Sequence, residues 1–505
     1  MGMFGFSKAA AKAPKPTKSA RKSRSIRNYA GALVSRLNTG WGNTPTPSSY
    51  HIWKDLQTLR TRSREQYRNN DYAKRFITLC KANIVGHQGI VIQAQIKDLD
   101  GKLDKLANDA IEQSWRDWSR VCDAGGRLSL TEMCKLIVAT VAIDGECLVR
   151  RVLDQKHGYT LKLIDPELLD IKYNDSLSNG NVIRMGIESD ANGRAVAYYL
   201  LKQIATLSPS NYQRGKHLRV PAEEINHLFL SEMVDQERGV PWMASALERM
   251  KNLHGYEQAA VINARIGASK MGFFQTKDGG IEDLADDETL DGEFIQDAEP
   301  GAFEVIPEGW ELNSFNPDYP HQQFGEFIKA TLRGVASGLG VAYNGLANDL
   351  EGVNFSSIRS GVQDEREQWK TLQTWLIESF MRPLYEDWLR HHLSLGAITV
   401  PSKQGVAKAL PAARFDKFKQ AHFQGRRWQW VDPLKDMKAN EAAVQLRLKS
   451  RGEIIREMGR DPDEVWQEIQ REEEQLKAMG ISVEQADAAM NTLQQGMAEV
   501  SSNGK

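Results

Sequence analysis

Cysteine is scarce in this chain, and the four that occur (Cys80, Cys122, Cys134 and Cys147) show no C-x-x-C spacing. That argues against a zinc site or a disulfide framework and for buried free thiols in a reducing compartment. Long apolar runs are missing too. The longest, residues 136–143, falls far short of the roughly 18 residues that suggest a membrane span. The start, MGMFGFSKAAAKAPK, lacks the apolar stretch of a secretory signal, and Phe6 stands where a myristoylation pattern needs Ser or Thr. A protein made and left in a cytoplasm, with no membrane partner, is expected. Acid is absent from residues 1–54, which hold ten Lys or Arg before the first acid, Asp55. The overall charge of −1 therefore divides into a basic arm and a body with 55 bases against 66 acids. The arm, residues 1–50, is rich in Ala, Pro, Ser and Lys; it buries too little apolar surface to fold alone and is expected to be disordered. It either binds nucleic-acid phosphates or is a solvated tail, and composition does not separate the two.

Catalytic signals are equally scarce. No G-x-x-x-x-G-K-[ST] occurs, since Gly101-Lys102 runs into Leu103 and Gly215-Lys216 into His217, so nothing cradles a nucleotide phosphate in the P-loop manner. H-E-x-x-H and G-x-S-x-G are absent. Asp98/Asp100 and Asp461/Asp463 have the spacing of a nuclease metal site, but such pairs are more often turns and helix starts. The acid-rich run 282–293 fails as a calcium loop because Ala298 stands where a bidentate Glu is needed. His391-His392 reads as a solvated helix end. No catalytic residue, metal or cofactor is expected.

What is present is a globular composition, 41% hydrophobic and 26% charged, over 505 residues, enough for two to four packed regions. Apolar periodicity predicts helices over 51–85, 103–120 and 131–143, with a strand over 90–96. Short β-like runs follow at 146–153, 159–164, 182–187, 194–201 and 225–230, separated by turn pairs such as Asn179-Gly180 and Asn192-Gly193. From Pro241 to about Ser269 the chain reads as one helix of roughly 40 Å, carrying the small residues Ala259, Ala260, Ala264, Gly267 and Ala268. A β-like, acid-rich excursion fills 271–317. A second long helix starts near His321. Phe324, Ile328, Leu332, Val335 and Leu339 form its apolar stripe, while Lys329 and Arg333 share another face at i, i+4. After a Gly-rich stop and a polar loop, a third helix begins around Ser356, with a kink at Pro383. The region 403–430 is basic and aromatic (Arg426, Arg427, Trp428, Trp430), and the tail from Pro433 is helical and charged. The fold class is α+β.

Several local patterns fall in an order that resembles the lambda-type phage portal protein family, from about residue 25 to 470. They are Asp144-Gly145-Glu146, Leu163-Ile164-Asp165-Pro166, Val220-Pro221-Ala222 with His227-Leu228-Phe229, and Gln236-Glu237-Arg238-Gly239-Val240-Pro241-Trp242. The strongest is Gly338-Leu339-Gly340-Val341 leading to Asn354-Phe355-Ser356-Ser357-Ile358-Arg359, where the family usually has Tyr in place of Phe355. Val431-Asp432-Pro433 and Gly459-Arg460-Asp461-Pro462 complete the order.

The resemblance implies a ring of subunits, usually twelve, at one capsid vertex, the channel for double-stranded DNA during packaging and ejection. It implies a portal-type subunit in which 51–240 form a mixed α/β wing, 241–270 and 321–343 the stem helices, and 271–317 a small β-containing clip. Residues 344–356 would be the tunnel loop, 357–430 a long helix and the return to the wing, and 431–505 a helical crown and tail. On that mapping Asn344, Asn348, Asp349, Glu351 and Asn354 line the DNA channel, with Asn348 and Asn354 favoured over Ser356, which suits a helix cap. Lys329 and Arg333 give the stem a basic face, and Asp286, Asp287 and Glu288 in the clip dock a partner. The implied partners are further copies of the chain, the terminase large subunit that hydrolyses ATP, a head-completion or connector protein, and a capsid or scaffold protein. The implied location is the virion, after assembly in the host bacterial cytoplasm. The stem's small residues and apolar stripe serve either head-to-tail ring contacts or packing within one chain. Two rival readings are a nuclease or recombinase, which calls for a metal-binding carboxylate set, and another capsid or connector subunit, which calls for no long helices around a small β knob.

Overall fold

The computed structural model describes residues 42, 45–98, 100–154, 158–203, 212–268, 272–276, 310–314, 324–351, 355–401, 407–428, 433–458 and 460–479. The chain divides into two units, Met1–Pro47 and Ser48–Lys505, and the second is α+β. It opens with two helices where periodicity suggested one. Asn70 ends α1 (Ser48–Asn69) by taking extended backbone angles, and its side chain accepts from the N–H groups of Tyr72 (3.0 Å) and Ala73 (3.1 Å) to start α2 (Asp71–Cys80). The chain then widens into a π turn, Lys81–Val85, which closes at Gly86 with φ 75°. Strand β1 (Val91–Ala94) leads to α3 (Lys105–Val121) and α4 (Leu130–Asp144). A reciprocal capping box between Ser129 and Glu132 starts α4 and a left-handed Gly145 stops it, and the helix between them is buried almost all round.

Two antiparallel sheets follow. In the first, β2 (Glu146–Asp154) lies between β3 (Gly158–Ile164) and β9 (Ile225–Phe229). The second runs in the order β4 (Asp175–Ser176), β5 (Val182–Arg184), β6 (Ile187–Ser189), β7 (Ala195–Gln203) and β8 (Tyr212–Pro221). The run expected as one strand at 182–187 is a hairpin, because Met185 and Gly186 both take positive φ and fold β6 back on β5. Strand β8, rich in basic residues and weakly alternating, was not anticipated.

Helix α5 (Leu247–Ala268) begins later than Pro241, since the N–H of Ala244 bonds to Pro241 and that of Ala246 to Met243 in successive turns. The two ends of the expected β excursion do pair, as β10 (Gly272–Thr276) with β11 (Trp310–Ser314). Helix α6 (Phe324–Leu339) packs along α5. The Arg249 guanidinium fills the space that a side chain at Gly334 would need, Ser245 Oγ donates to the Gly338 carbonyl at 2.9 Å, and Tyr256 meets Phe324 and Phe327. Packing within the chain therefore accounts for Leu332, Val335 and Leu339, all buried, whereas Phe327, Val261 and Ile262 stay exposed.

After α7 (Tyr343–Ala347), α8 (Phe355–Leu376) runs through a second π turn, Ile377–Met381, into α9 (Arg382–Ser394). Pro383 lacks an N–H and crowds the preceding turn, so the expected kink takes this form. A short hairpin, β12 (Thr399–Val400) with β13 (Lys408–Ala409), precedes α10 (Phe415–Phe418) and β14 (Ala421–Gln424). Strand β14 pairs antiparallel with β1, bringing the C-terminal third back to the start. Helices α11 (Pro433–Gln445), α12 (Arg451–Glu457) and α13 (Pro462–Ala478) follow in the described part of the tail.

Aromatic side chains join α3 to α9. Trp115 lies 4.9 Å from both Trp118 and Trp388, the latter edge-on, and Trp118 Nε1 donates to the Tyr159 carbonyl at 2.8 Å. Each such ring pair adds about 0.5–1.5 kcal/mol beyond the area it buries. His392 belongs to this core. Its Nδ1 donates to the Trp388 carbonyl at 2.8 Å, and burial lowers the pKa of both His391 and His392, so the pair is not a solvated helix end. All four cysteines are buried and free. The carboxylate pairs are structural: Asp98 sits in a turn and pairs with Lys417 at 2.8 Å, while Asp461 caps α13 by accepting from the Asp463 N–H.

Candidate functional site

The polar loop between α6 and α8 is built around one lysine. Gly340 turns the chain at φ 67°, α7 makes little more than one helical turn, and Asn348 stops it in the left-handed region at φ 54°. Arg75 Nε holds α7 from α2 by donating to the Gly345 carbonyl at 3.0 Å. Lys329 reaches across from α6, with Nζ 2.7 Å from Glu351 Oε2 and 3.7 Å from Asp349 Oδ2. Asp349 also accepts from the Tyr343 hydroxyl at 2.8 Å and the Glu351 N–H at 2.9 Å. The hydrogen bond from Lys329 to Glu351, aided by both acids' charges, raises the lysine pKa; the Glu351 N–H and the Tyr343 hydroxyl lower that of Asp349. Arg333 lies over the Tyr343 ring, 5.5 Å from its centroid.

Of the expected channel residues, Asp349 and Glu351 are thus gathered onto Lys329, Arg333 joins them through Tyr343, and Asn348 is exposed at the tip. Asn344 lies within α7. Asn354 falls outside the described residues, as do Asp286, Asp287 and Glu288. Helix α8 begins at Phe355, which places Ser356 in its first turn.

A second constellation was not anticipated as a site. Glu146, the first residue of β2, is fully buried and faces three cationic or ionisable groups. Arg238 brings Nε within 2.8 and 3.0 Å of the two carboxylate oxygens and Nη2 within 2.5 Å. Arg60 Nη2 lies 2.5 Å away, His227 Nε2 3.0 Å, and the Gly239 N–H donates at 3.0 Å. Arg238 and Arg60 spend their other N–H groups on the carbonyls of Met185, Leu169, Asp144 and Pro166. Beside them Arg64 grips Asp144 at 2.6 and 2.9 Å and Asp165 at 2.7 Å. Burial alone would raise the pKa of Glu146; the charges of Arg238 and Arg60 override it and, with His227, hold the carboxyl well below its ordinary range. The backbones cross tightly here: a side chain at Gly145 or Gly239 would collide with the other residue's carbonyl.

This network ties α1, the end of α4, β2, β9 and the 185–186 turn into one body, and it offers no open face for a substrate. Its members come from the segments Asp144-Gly145-Glu146, Asp165-Pro166, His227 and Arg238-Gly239, scattered over the sequence and brought together only by folding. The sequence signal was there: an acid opening an apolar run at Glu146-Cys147-Leu148-Val149 that matches a buried strand.

The chain is similar to known proteins along most of its length. The profile of "Phage portal protein, lambda family" matches residues 34–373. A probable portal protein of Halomonas phage phiHAP-1 is 33% identical over 479 residues, 92% of this chain and 90% of that one. Portal protein B of Escherichia phage lambda is 21% identical over 511 residues, covering 90% of this chain and 92% of its own. Among solved structures, a chain in the neck of an empty gene transfer agent particle aligns with 81% of this chain and 94% of its own, at 12% identity and a TM-score of 0.43. On the family profile and the phiHAP-1 relative, this α+β chain belongs to the lambda family of phage portal proteins.

Proposed function

We propose that this chain is the subunit of a closed ring at one vertex of a phage capsid, through which double-stranded DNA is packaged and later leaves. The observation that carries the reading is the family match, which spans the mixed body, both long helices and most of α8. Within it, 51–240 is the wing, α5 and α6 the stem, 271–317 the clip, 344–356 the tunnel loop, 357–430 the long helix and return, and 431–505 the crown and tail. Residues 1–50 form a basic arm. Asn344, Asn348 and Asn354 face the channel. Asp286, Asp287 and Glu288 dock the terminase large subunit and, after it leaves, a head-completion protein through charge complementarity. Capsid or scaffold protein surrounds the wing, and assembly takes place in the host bacterial cytoplasm.

The loop's chemistry suits this work. Duplex DNA carries one charge per roughly 1.7 Å of axis, and a channel that bound it tightly would stall it. Lys329 is the cation nearest the loop acids, and both of them engage it, which leaves short neutral side chains such as Asn348 at the tip. These touch phosphates transiently and position DNA without reading sequence. The channel moves DNA without covalent chemistry, and the terminase supplies ATP hydrolysis. The test is mass photometry of the purified chain alongside nuclease and ATPase assays. Discrete closed oligomers with neither activity are expected. Monomers under every assembly condition, or metal-dependent cleavage of DNA by the pure protein, would refute the reading.

A further inference from the structure

Helix α13 has no part in the loop or in the buried Glu146 network. Its first turn is packed, with Pro462 buried and the Trp466 ring beside Gly452 of α12. From Gln467 to Met479, however, every residue is exposed except the half-buried Leu476. Helices in proteins owe most of their stability to packing an amphipathic face, and this one has such a face. Ile469, Glu472, Leu476 and Met479 fall on one side of the helix, and Gln467 and Glu474 lie opposite.

The repeat of that face is seven residues, in alternating steps of four and three. From Val465 to Val500 the sequence holds eleven such positions, and ten of them are Val, Ile, Leu, Met or Ala; Glu472 is the exception. Of the twenty-five residues between them only six are apolar, and four of those are Ala. A stripe meant for a globular body follows the 3.6-residue turn. A strict seven drifts from it by about 20° per heptad, so over this length the seam stays covered only by another helix that supercoils with it. The positions flanking such a seam choose its partner. Here none of them is Lys or Arg, and Gln475, Gly480, Ser482, Ala489, Gln494 and Gly496 are neutral. Paired in parallel with its own copy, the segment sets Asp487 opposite Ser482 and Glu473 opposite Glu468, whose charge is already met by Arg460 of the same chain at 2.5 Å. The flanks thus carry no alternating charge that specifies a foreign helix, whereas every copy of the chain presents an identical seam.

We infer that the Ile469–Leu476–Met479 face of α13, with the seam that continues it in sequence, joins copies of this chain through a parallel coiled coil. This surface is separate from the stem helices and from the loop between α6 and α8. The inference rests on the ring reading above, since a ring sets the copies side by side with their C-terminal segments at one height and in one direction.

The experiment is disulfide trapping in the full-length assembled protein, with mass photometry of the same samples to count rings. All four native cysteines are buried, so a thiol introduced on α13 is the one open to mild oxidation. The variants I469C and L476C place it in the seam; Q467C and E474C place it on the opposite side of the same helix. None of these four positions is buried, so each variant is expected to keep the wild-type Tm. The seam variants are expected to run as covalent two-chain species on a non-reducing gel, several-fold more than the controls. Closed rings in which I469C and L476C cross-link no better than Q467C and E474C would overturn the coiled coil and leave the ring reading intact, since the seam then faces something other than its own copy. Samples holding only monomers, with no seam cross-link, would overturn both.

Discussion

Glu146→Gln is expected to destabilise the protein by about 3–5 kcal/mol, the range for removing one member of a buried ion network and stranding the other. The substitution preserves shape and removes only the charge. Arg60 and Arg238, 3% and 0% exposed, are then left as adjacent buried cations with no anion between them. Chemical denaturation followed by tryptophan fluorescence reads the loss. Its pH dependence carries the sign of the mechanism. The pKa of Glu146 is depressed in the folded state, so its contribution is complete above the unfolded value of about 4.3 and is lost as pH falls through the lower folded value. The gap between variant and wild type should be constant from neutral pH down to about 5 and narrow in stronger acid. A variant as stable as wild type at neutral pH would show that the network is not what holds the sheets to α1 and α4.

Deletion of residues 348–353 is expected to leave rings intact and to abolish DNA-filled heads. The fold tolerates the loss because the loop is held from outside the core: Glu351 is 79% exposed, and its pair with Lys329 is screened by solvent. Helix α7 stays anchored by Arg75, and α8 by the buried Trp369, Gln373 and Leu376. What disappears is the polar tip carrying Asn348, the segment proposed to touch DNA in transit. Complementation of a portal-null phage, scored for packaged DNA per assembled head, separates the two effects. Wild-type packaging by the deletion would remove the loop from the mechanism. Failure to form rings would assign it a role in assembly instead.

Much of the architecture was legible because it is local. Helix α4 announces itself through an apolar run that starts at Ser129 with Glu132 three residues on and ends at Asp144-Gly145. The two long helices and the strands β10 and β11 between them were legible from period and composition. What could not be read was long-range. Asn70 breaks a helix that periodicity alone carries through, since a cap is a change in backbone angle as much as a residue type. Arg60 lies among the Arg and Lys of an outwardly polar helix, yet it is buried against Glu146, 86 residues away. Spacing placed Lys329 and Arg333 on one face of α6 but did not say that the loop acids close onto the first and Tyr343 under the second. Burial of His392 likewise depends on Trp115 and Trp118, from a helix more than 270 residues earlier.

The central claim is that copies of this chain close into a ring whose channel is lined by the loop between α6 and α8. Electron cryomicroscopy of the purified, assembled protein measures it directly. The account predicts a closed ring with a central channel wide enough for duplex DNA and with Asn348 on its inner wall. An open filament, an unassembled monomer, or a ring carrying Asn348 on its outer rim would contradict it.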